Sequence, residues 1–209
     1  MHIKEKLLFI NITMNHIKEI STSLTIISEM LTDRGKTATN LNRLSVAEVT
    51  SIVNSRNMFS VSTAEDTIIV VYDMSPKFKW ATSKQYIESL IDIDSGLPKL
   101  VILVVKEESD IKNIKGGLLA DTEMQVFYLK ELQFNKTTHV LVPKHEIITD
   151  AAYIAAILES CSLTKASLLP LILKTDPQVK YLNAHSGDVI KVTRISPTCG
   201  ENIVYRYVT

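Results

Sequence analysis

The side chains in this chain that could do nucleophilic, acid-base or metal chemistry are few and scattered. His139 and His145 stand six apart around LVPK, while His185, Cys161 and Cys199 follow at long intervals. A zinc site needs four such ligands in paired turn or helix spacing, and the two histidines have no second pair to join them. Both read as histidines satisfied by ordinary hydrogen bonds. Neither cysteine, nor any serine, lies in a G-x-S-x-G elbow or a cysteine-nucleophile signature. Gly116 and Gly117 follow a helical stretch instead of opening one, and no G-x-x-x-x-G-K-[ST] loop is present to cradle a phosphate. A metal-dependent nuclease centre would need clustered carboxylates and a lysine two residues from an acid on a strand. Before residue 138 that spacing is Asp110-Ile111-Lys112, on a predicted helix beyond the strand's end. The residues therefore predict no catalytic set, no cofactor, no metal and no small-molecule substrate.

Charge removes further classes. Lys plus Arg number 23 and so do Asp plus Glu, giving zero net charge over 209 residues, and no global positive field exists to hold nucleic acid or an anionic membrane. Lys144, Lys165, Lys174, Lys180, Lys191, Arg194 and Arg206 could form a local basic face, but six acids are interleaved with them and the reading is a mixed solvated surface. A composition of 45% hydrophobic and 22% charged residues fits a folded globular chain with a real core. The N-terminal MHIKEKLLFINITMNHIKEI has charges on both sides of a short apolar stretch, so neither a signal peptide nor a membrane span is expected. A soluble protein of a reducing compartment is the reading.

The elements follow from periodicity. Leu7, Ile10, Ile17, Ile20, Leu24, Ile27 and Leu31 recur at helical intervals and predict one long amphipathic helix to Arg34, with Asn11 as a point where it could break and Gly35 as its stop. Ser45 and Glu48 form a capping box that predicts a second helix. TIIVVYD (67–73), KLVILVV (99–105) and MQVFYL (124–129) read as strands, separated by TSKQYIESLID (82–92) as a helix and by SDIKNIKGG, with Ser109 as its N-cap. Strand, helix, strand, helix, strand implies a small α/β layer. From His139 onward the composition changes, with four of the six prolines and three of the five histidines. There Thr149 or Asp150 caps AAYIAAILES, Thr164 caps KASLLPLIL as a further helix, and Asp176 before Pro177 starts another. GDVIKVTRIS and ENIVYRYVT flank PTCG as a hairpin, with Gly200 free to take positive φ.

Beyond these rules, FYLKELQFNKTTHVLVPKHEIIT (127–149) resembles the junction of the fifth shared subunit of eukaryotic RNA polymerases I, II and III, whose second domain is similar to a small archaeal RNA polymerase subunit. The T-x-H-x-L-V-P-x-H string is the specific part, and LP, DP-x-x-x-Y, G-D-V-x-K-x-x-R and S-x-T-x-G-x-x-x-x-Y-R follow collinearly to residue 208. LTIISEMLTDRG (24–35) looks like that family's first helix. The chain departs from the pattern at Lys36, where an aromatic is usual, at Leu171, where a basic residue is usual, at Cys199, and at NAHSG (183–187). The resemblance implies an α+β protein, in which an N-terminal α/β jaw domain (1–137), a long helix plus a small sheet, precedes a small α+β assembly domain (138–209). It implies a non-catalytic polymerase subunit that docks on the largest subunit and projects a lower jaw near downstream duplex DNA, in the nucleus for a cellular chain and in a virion or cytoplasmic factory for a viral one. An independent nucleic-acid-binding regulator that carries a module like the archaeal protein is the alternative. Interface or structural roles then fall to the matching positions His139, Val142, Pro143, Lys144, His145, Pro170, Asp176, Pro177, Tyr181, Gly187, Arg194, Ser196, Thr198, Gly200, Tyr205 and Arg206.

Overall fold

The computed structural model describes residues 2–36, 58–63, 68–93, 100–112, 114, 122–196 and 200–209. They fall into two units, Met1–Phe134 and Asn135–Thr209, in an α+β architecture.

In the first unit, the three- and four-residue apolar spacing winds α1 (His2–Asp33), which continues through Asn11 without a break. Ile17, Ile20, Leu24, Ile27 and Leu31 are buried along it, joined by Met30. Each such side chain contributes about 1.5–3 kcal/mol relative to exposure. Gly35, at φ 72°, ends the helix, and the Lys36 amide donates back to the Leu31 carbonyl at 2.9 Å, a Schellman closure. Beyond it come β1 (Met58–Ser62), β2 (Ile68–Asp73), α2 (Trp80–Ile93), β3 (Leu100–Val105), the single turn α3 (Glu108–Ile111) and β4 (Glu123–Tyr128). The sheet order is β1-β2-β3-β4, with β1 antiparallel and the other pairings parallel.

All six residues of β2 and all six of β3 are buried, because both faces of the sheet are covered. On one face Ile69, Val71, Val101, Leu103 and Val105 pack with Ile87 of α2. The other face meets α1, where the Ser23 and Tyr72 hydroxyls lie 2.8 Å apart and Arg34 Nη1 donates to Gln125 Oε1 at 3.0 Å.

One sequence expectation in this unit needs correction, and one strand was not expected. Ser109 is inside α3 and does not cap it; Glu107 holds the cap position, its amide donating to Asp110 Oδ2 at 3.4 Å, while the Ser109 hydroxyl donates to Glu107 Oε2 at 3.5 Å. Strand β1 also lacks a counterpart in the sequence reading. Its Phe59 stacks on Tyr72 of β2 with ring centroids 4.8 Å apart. The Ser45–Glu48 capping box with its helix, and the Gly116–Gly117 terminator, lie outside the described residues.

The second unit runs β5 (Lys144–Ile148), α4 (Ala151–Ser160), β6 (Leu171–Ile172), α5 (Pro177–Leu182), β7 (Val189–Ser196) and β8 (Gly200–Val208). Its sheet order is β5-β7-β8-β6, with β5–β7–β8 antiparallel and β6 parallel to β8. The predicted hairpin is β7–β8, and Gly200 has φ 71° at its start. Ile190, Val192 and Val208 form the core with Val179 and Ala184 from α5 and the turn after it. Asp150 caps α4 by accepting from the Ala152 amide at 2.9 Å. The helix expected from Thr164 is instead a 3-10 turn, Ala166–Leu168, leading into β6. Pro170 explains the difference: it holds Leu169 extended at ψ 157° and has no amide proton for a helix.

Candidate functional site

The family-like string of the second unit begins at a turn and ends on an edge strand. Asn135 opens the turn by accepting from Thr137 N–H at 3.0 Å and donates through Nδ2 to the Tyr181 hydroxyl at 3.2 Å, so α5 is tied to the entry of the unit. His139 Nδ1 accepts the Leu141 amide at 3.1 Å. His145 Nδ1 lies 2.7 Å from the Pro143 carbonyl, and because a carbonyl only accepts, that nitrogen carries the proton. Each histidine is thus spent on local backbone. Among the described residues no group of three or more His, Cys, Asp or Glu is placed to hold a metal ion, and no helix is long and apolar enough to cross a membrane.

What this turn presents outward is apolar. Val140 is 96% exposed and Leu141 84%, in the segment that leads through Val142 and Pro143 into β5. On β7, Ile195 lies two residues beyond Thr193, the partner of Lys144, and is 90% exposed. Val140 and Leu141 thus lie just ahead of β5, whose outer edge has no neighbouring strand among the described residues. Lys144 and Glu146 on that strand form an ion pair at 2.6 Å, and the ammonium holds the Glu146 carboxyl below its usual range. A row of exposed aliphatic side chains beside an open strand edge suits a protein partner in extended conformation.

Several of the other expected positions make contacts within the unit. Asp176 caps α5 by accepting from Gln178 N–H at 2.8 Å, with Pro177 at the first helical position, where a missing amide proton costs nothing. The Pro170 carbonyl accepts the Tyr207 amide at 2.9 Å, and Arg206 Nη1 donates to the Leu171 carbonyl at 3.0 Å. Gly187, at φ 106°, lets its amide reach the Val208 carbonyl at 3.0 Å. Tyr205 meets Tyr153 edge to face, centroids 6.4 Å apart and hydroxyls 3.0 Å apart, and the Tyr153 hydrogen bond, helped by burial, pushes the Tyr205 hydroxyl up to about 12. Arg194 is exposed on β7 opposite Asn202, and Ser196 ends that strand opposite Gly200. Thr198 lies outside the described residues.

Residues 134–208 match the RNA polymerase Rpb5 C-terminal domain. The chain is 42% identical over 80 residues to DNA-directed RNA polymerase subunit Rpo5 of Nitrosopumilus maritimus, covering 38% of this chain and 93% of that one. It is 46% identical over 72 residues to Rpo5 of Methanococcus maripaludis, covering 34% and 90%, and 45% identical over 76 residues to Rpo5 of Pyrococcus horikoshii, covering 36% and 90%. The chain belongs to the Rpb5/Rpo5 family of RNA polymerase subunits.

For this family member the matched segment and the second unit nearly coincide, so the whole Asn135–Thr209 fold carries the likeness. The sequence reading names Val142 and Pro143 among the matching positions and contains Leu141 in the T-x-H-x-L-V-P-x-H string, whereas Ile195 is not among them. Three aliphatic residues flanking a proline in a segment without helical period carried that signal, since a turn has no interior in which to bury them.

Proposed function

We propose that this chain is a non-catalytic subunit of a DNA-directed RNA polymerase, in which the Asn135–Thr209 unit anchors on the largest subunit and the Met1–Phe134 unit forms part of the lower jaw near downstream duplex DNA. The observation that carries it is the match of residues 134–208 to polymerase subunits over about nine-tenths of those subunits' length. Supporting it, the histidines His139 and His145 are spent on backbone, and Val140 and Leu141 are exposed in the turn that leads into β5. Zero net charge fits a subunit that reaches DNA through its assembly and not alone.

The anchoring surface in this reading is the Val140–Leu141 turn with the open edge of β5. Cross-linking mass spectrometry on polymerase reconstituted with the full chain tests it, with a cross-linker that reacts at lysine. Links from Lys144, the exposed lysine of β5, to the largest subunit are expected. Links from Lys144 to solvent-facing factors alone, with none to the largest subunit, would contradict it.

A further inference from the structure

The opposite edge of the second sheet carries a separate apolar cluster. Leu168 is 58% exposed, Leu171 55% and Leu173 65%, all within six residues of chain, while Leu169 and Ile172 between them turn inward. Leu171 opens β6 and Leu173 directly follows it, so the two alternate with Ile172 and share one face. Isolated exposed leucines are ordinary, but three at one edge make a patch.

The carbonyls of this edge are taken by the chain itself. Arg206 Nη1 occupies the Leu171 carbonyl, and the Asp176 amide occupies the Leu173 carbonyl at 3.0 Å. The inward carbonyls of Pro170 and Ile172 are taken by the Tyr207 and Thr209 amides at 2.9 and 3.0 Å. With these carbonyls taken, a partner strand finds few acceptors, and what remains on offer is chiefly side chains.

The rim of the patch is mainly positive. Lys165 and Lys174 are exposed on either side of the leucines, Arg206 reaches the same edge, residues 161–175 contain no carboxylate, and the next acid, Asp176, accepts the Gln178 amide as the cap of α5. No acid among the described residues pairs with either lysine. Apolar side chains inside a cationic rim are complemented by apolar side chains inside an anionic one.

We propose that Leu168, Leu171 and Leu173, ringed by Lys165, Lys174 and Arg206, form a docking site for an amphipathic α-helix of a separate protein, one that carries carboxylates beside its apolar row. The choice of a separate protein rests on the reading above: β5 and β6 are the two edges of the sheet, so anchoring through β5 leaves the leucines facing out.

The test uses the full chain and two fluorescein-labelled helical peptides of about 20 residues, sharing leucines at i, i+3, i+4 and i+7 but flanked by glutamates in one and lysines in the other. Fluorescence anisotropy should show binding of the glutamate peptide. Its affinity should fall about tenfold or more in Leu171→Glu/Leu173→Glu, and severalfold as salt rises from about 50 to about 300 mM. Lys165→Glu/Lys174→Glu, which leaves the leucines in place, should invert the preference between the peptides. Equal binding of both peptides, no loss in either variant, or capture of phosphatidylglycerol vesicles in place of the peptide would overturn the proposal. Incorporation of Leu171→Glu/Leu173→Glu into reconstituted polymerase separates it from the anchoring reading. Wild-type incorporation is expected, whereas failure of this correctly folded variant to incorporate would mean the leucines face a polymerase subunit and would overturn this inference while leaving the anchoring one standing.

Discussion

Replacing Ser23 with alanine removes the hydrogen-bond partner of a buried phenol, and the geometry fixes which group suffers. The Ser23 hydroxyl donates to the Ile20 carbonyl at 2.7 Å, so at the 2.8 Å contact the Tyr72 hydroxyl is the donor and Ser23 Oγ the acceptor. Both side chains are fully buried, and burial raises the Tyr72 pKa well above its ordinary value, so the phenol stays protonated and keeps its proton to donate. In Ser23→Ala that donor faces hydrocarbon at a cost of about 1–3 kcal/mol, offset by about 0.5 kcal/mol of better helix propensity. Tyr72→Phe removes the stranded donor itself and leaves Ser23 bonded to Ile20, so about 0.5–1.5 kcal/mol is lost. The double variant should be more stable than Ser23→Ala alone, giving a coupling of about 1 kcal/mol between the sites. Urea unfolding followed by tryptophan fluorescence reads this cleanly, since Trp80 is the one tryptophan and packs on the β2–β3 core of the same unit. A loss of about 1.5 kcal/mol moves the midpoint by roughly 0.5–1.5 M. Additive losses, with Tyr72→Phe giving no rescue of Ser23→Ala, would refute the assignment of Tyr72 as donor and the docking of α1 on that sheet face.

Other outcomes follow from the same contacts. Asp150→Ala and Asp176→Ala each remove a side-chain cap and should lower stability of the second unit by about 1 kcal/mol, measured by urea unfolding with tyrosine fluorescence; no change would mean that these caps contribute nothing. Pro143→Arg should weaken incorporation into polymerase by placing a charge beside the apolar turn; unchanged incorporation in reconstitution would remove its assigned role. The isolated chain should bind duplex DNA weakly at physiological salt, because zero net charge releases few counterions, and submicromolar affinity in a gel-shift titration would favour an independent DNA-binding regulator.

Periodicity was enough wherever burial was two-sided or a cap was local. The runs IIVVY and LVILVV had to be central strands because only a doubly covered sheet consumes unbroken β-branched sequence, and Gly35 and Asp176–Pro177 act within one turn of themselves. Failures arose where a single residue overrode a pattern. Pro170 turns KASLLPLIL from an apparent helix into a 3-10 turn and an edge strand, and Glu107 takes the cap that Ser109 offers. β1 was missed although Phe59 and Val61 alternate with serines, because an edge strand needs only half its residues apolar. The Val140–Leu141 turn was legible, since three aliphatic residues before Pro143 have no helical period to bury them, whereas the exposure of Ile195 near the end of a regular strand left no such mark.

Membership of a transcribing assembly is the claim on which the rest depends, and purification of the tagged full chain from its native source at high salt, with mass spectrometry of what accompanies it, tests that claim most directly. Stoichiometric recovery of the two largest RNA polymerase subunits is the predicted result. Recovery of the chain alone, or with partners that include neither large subunit, would contradict it.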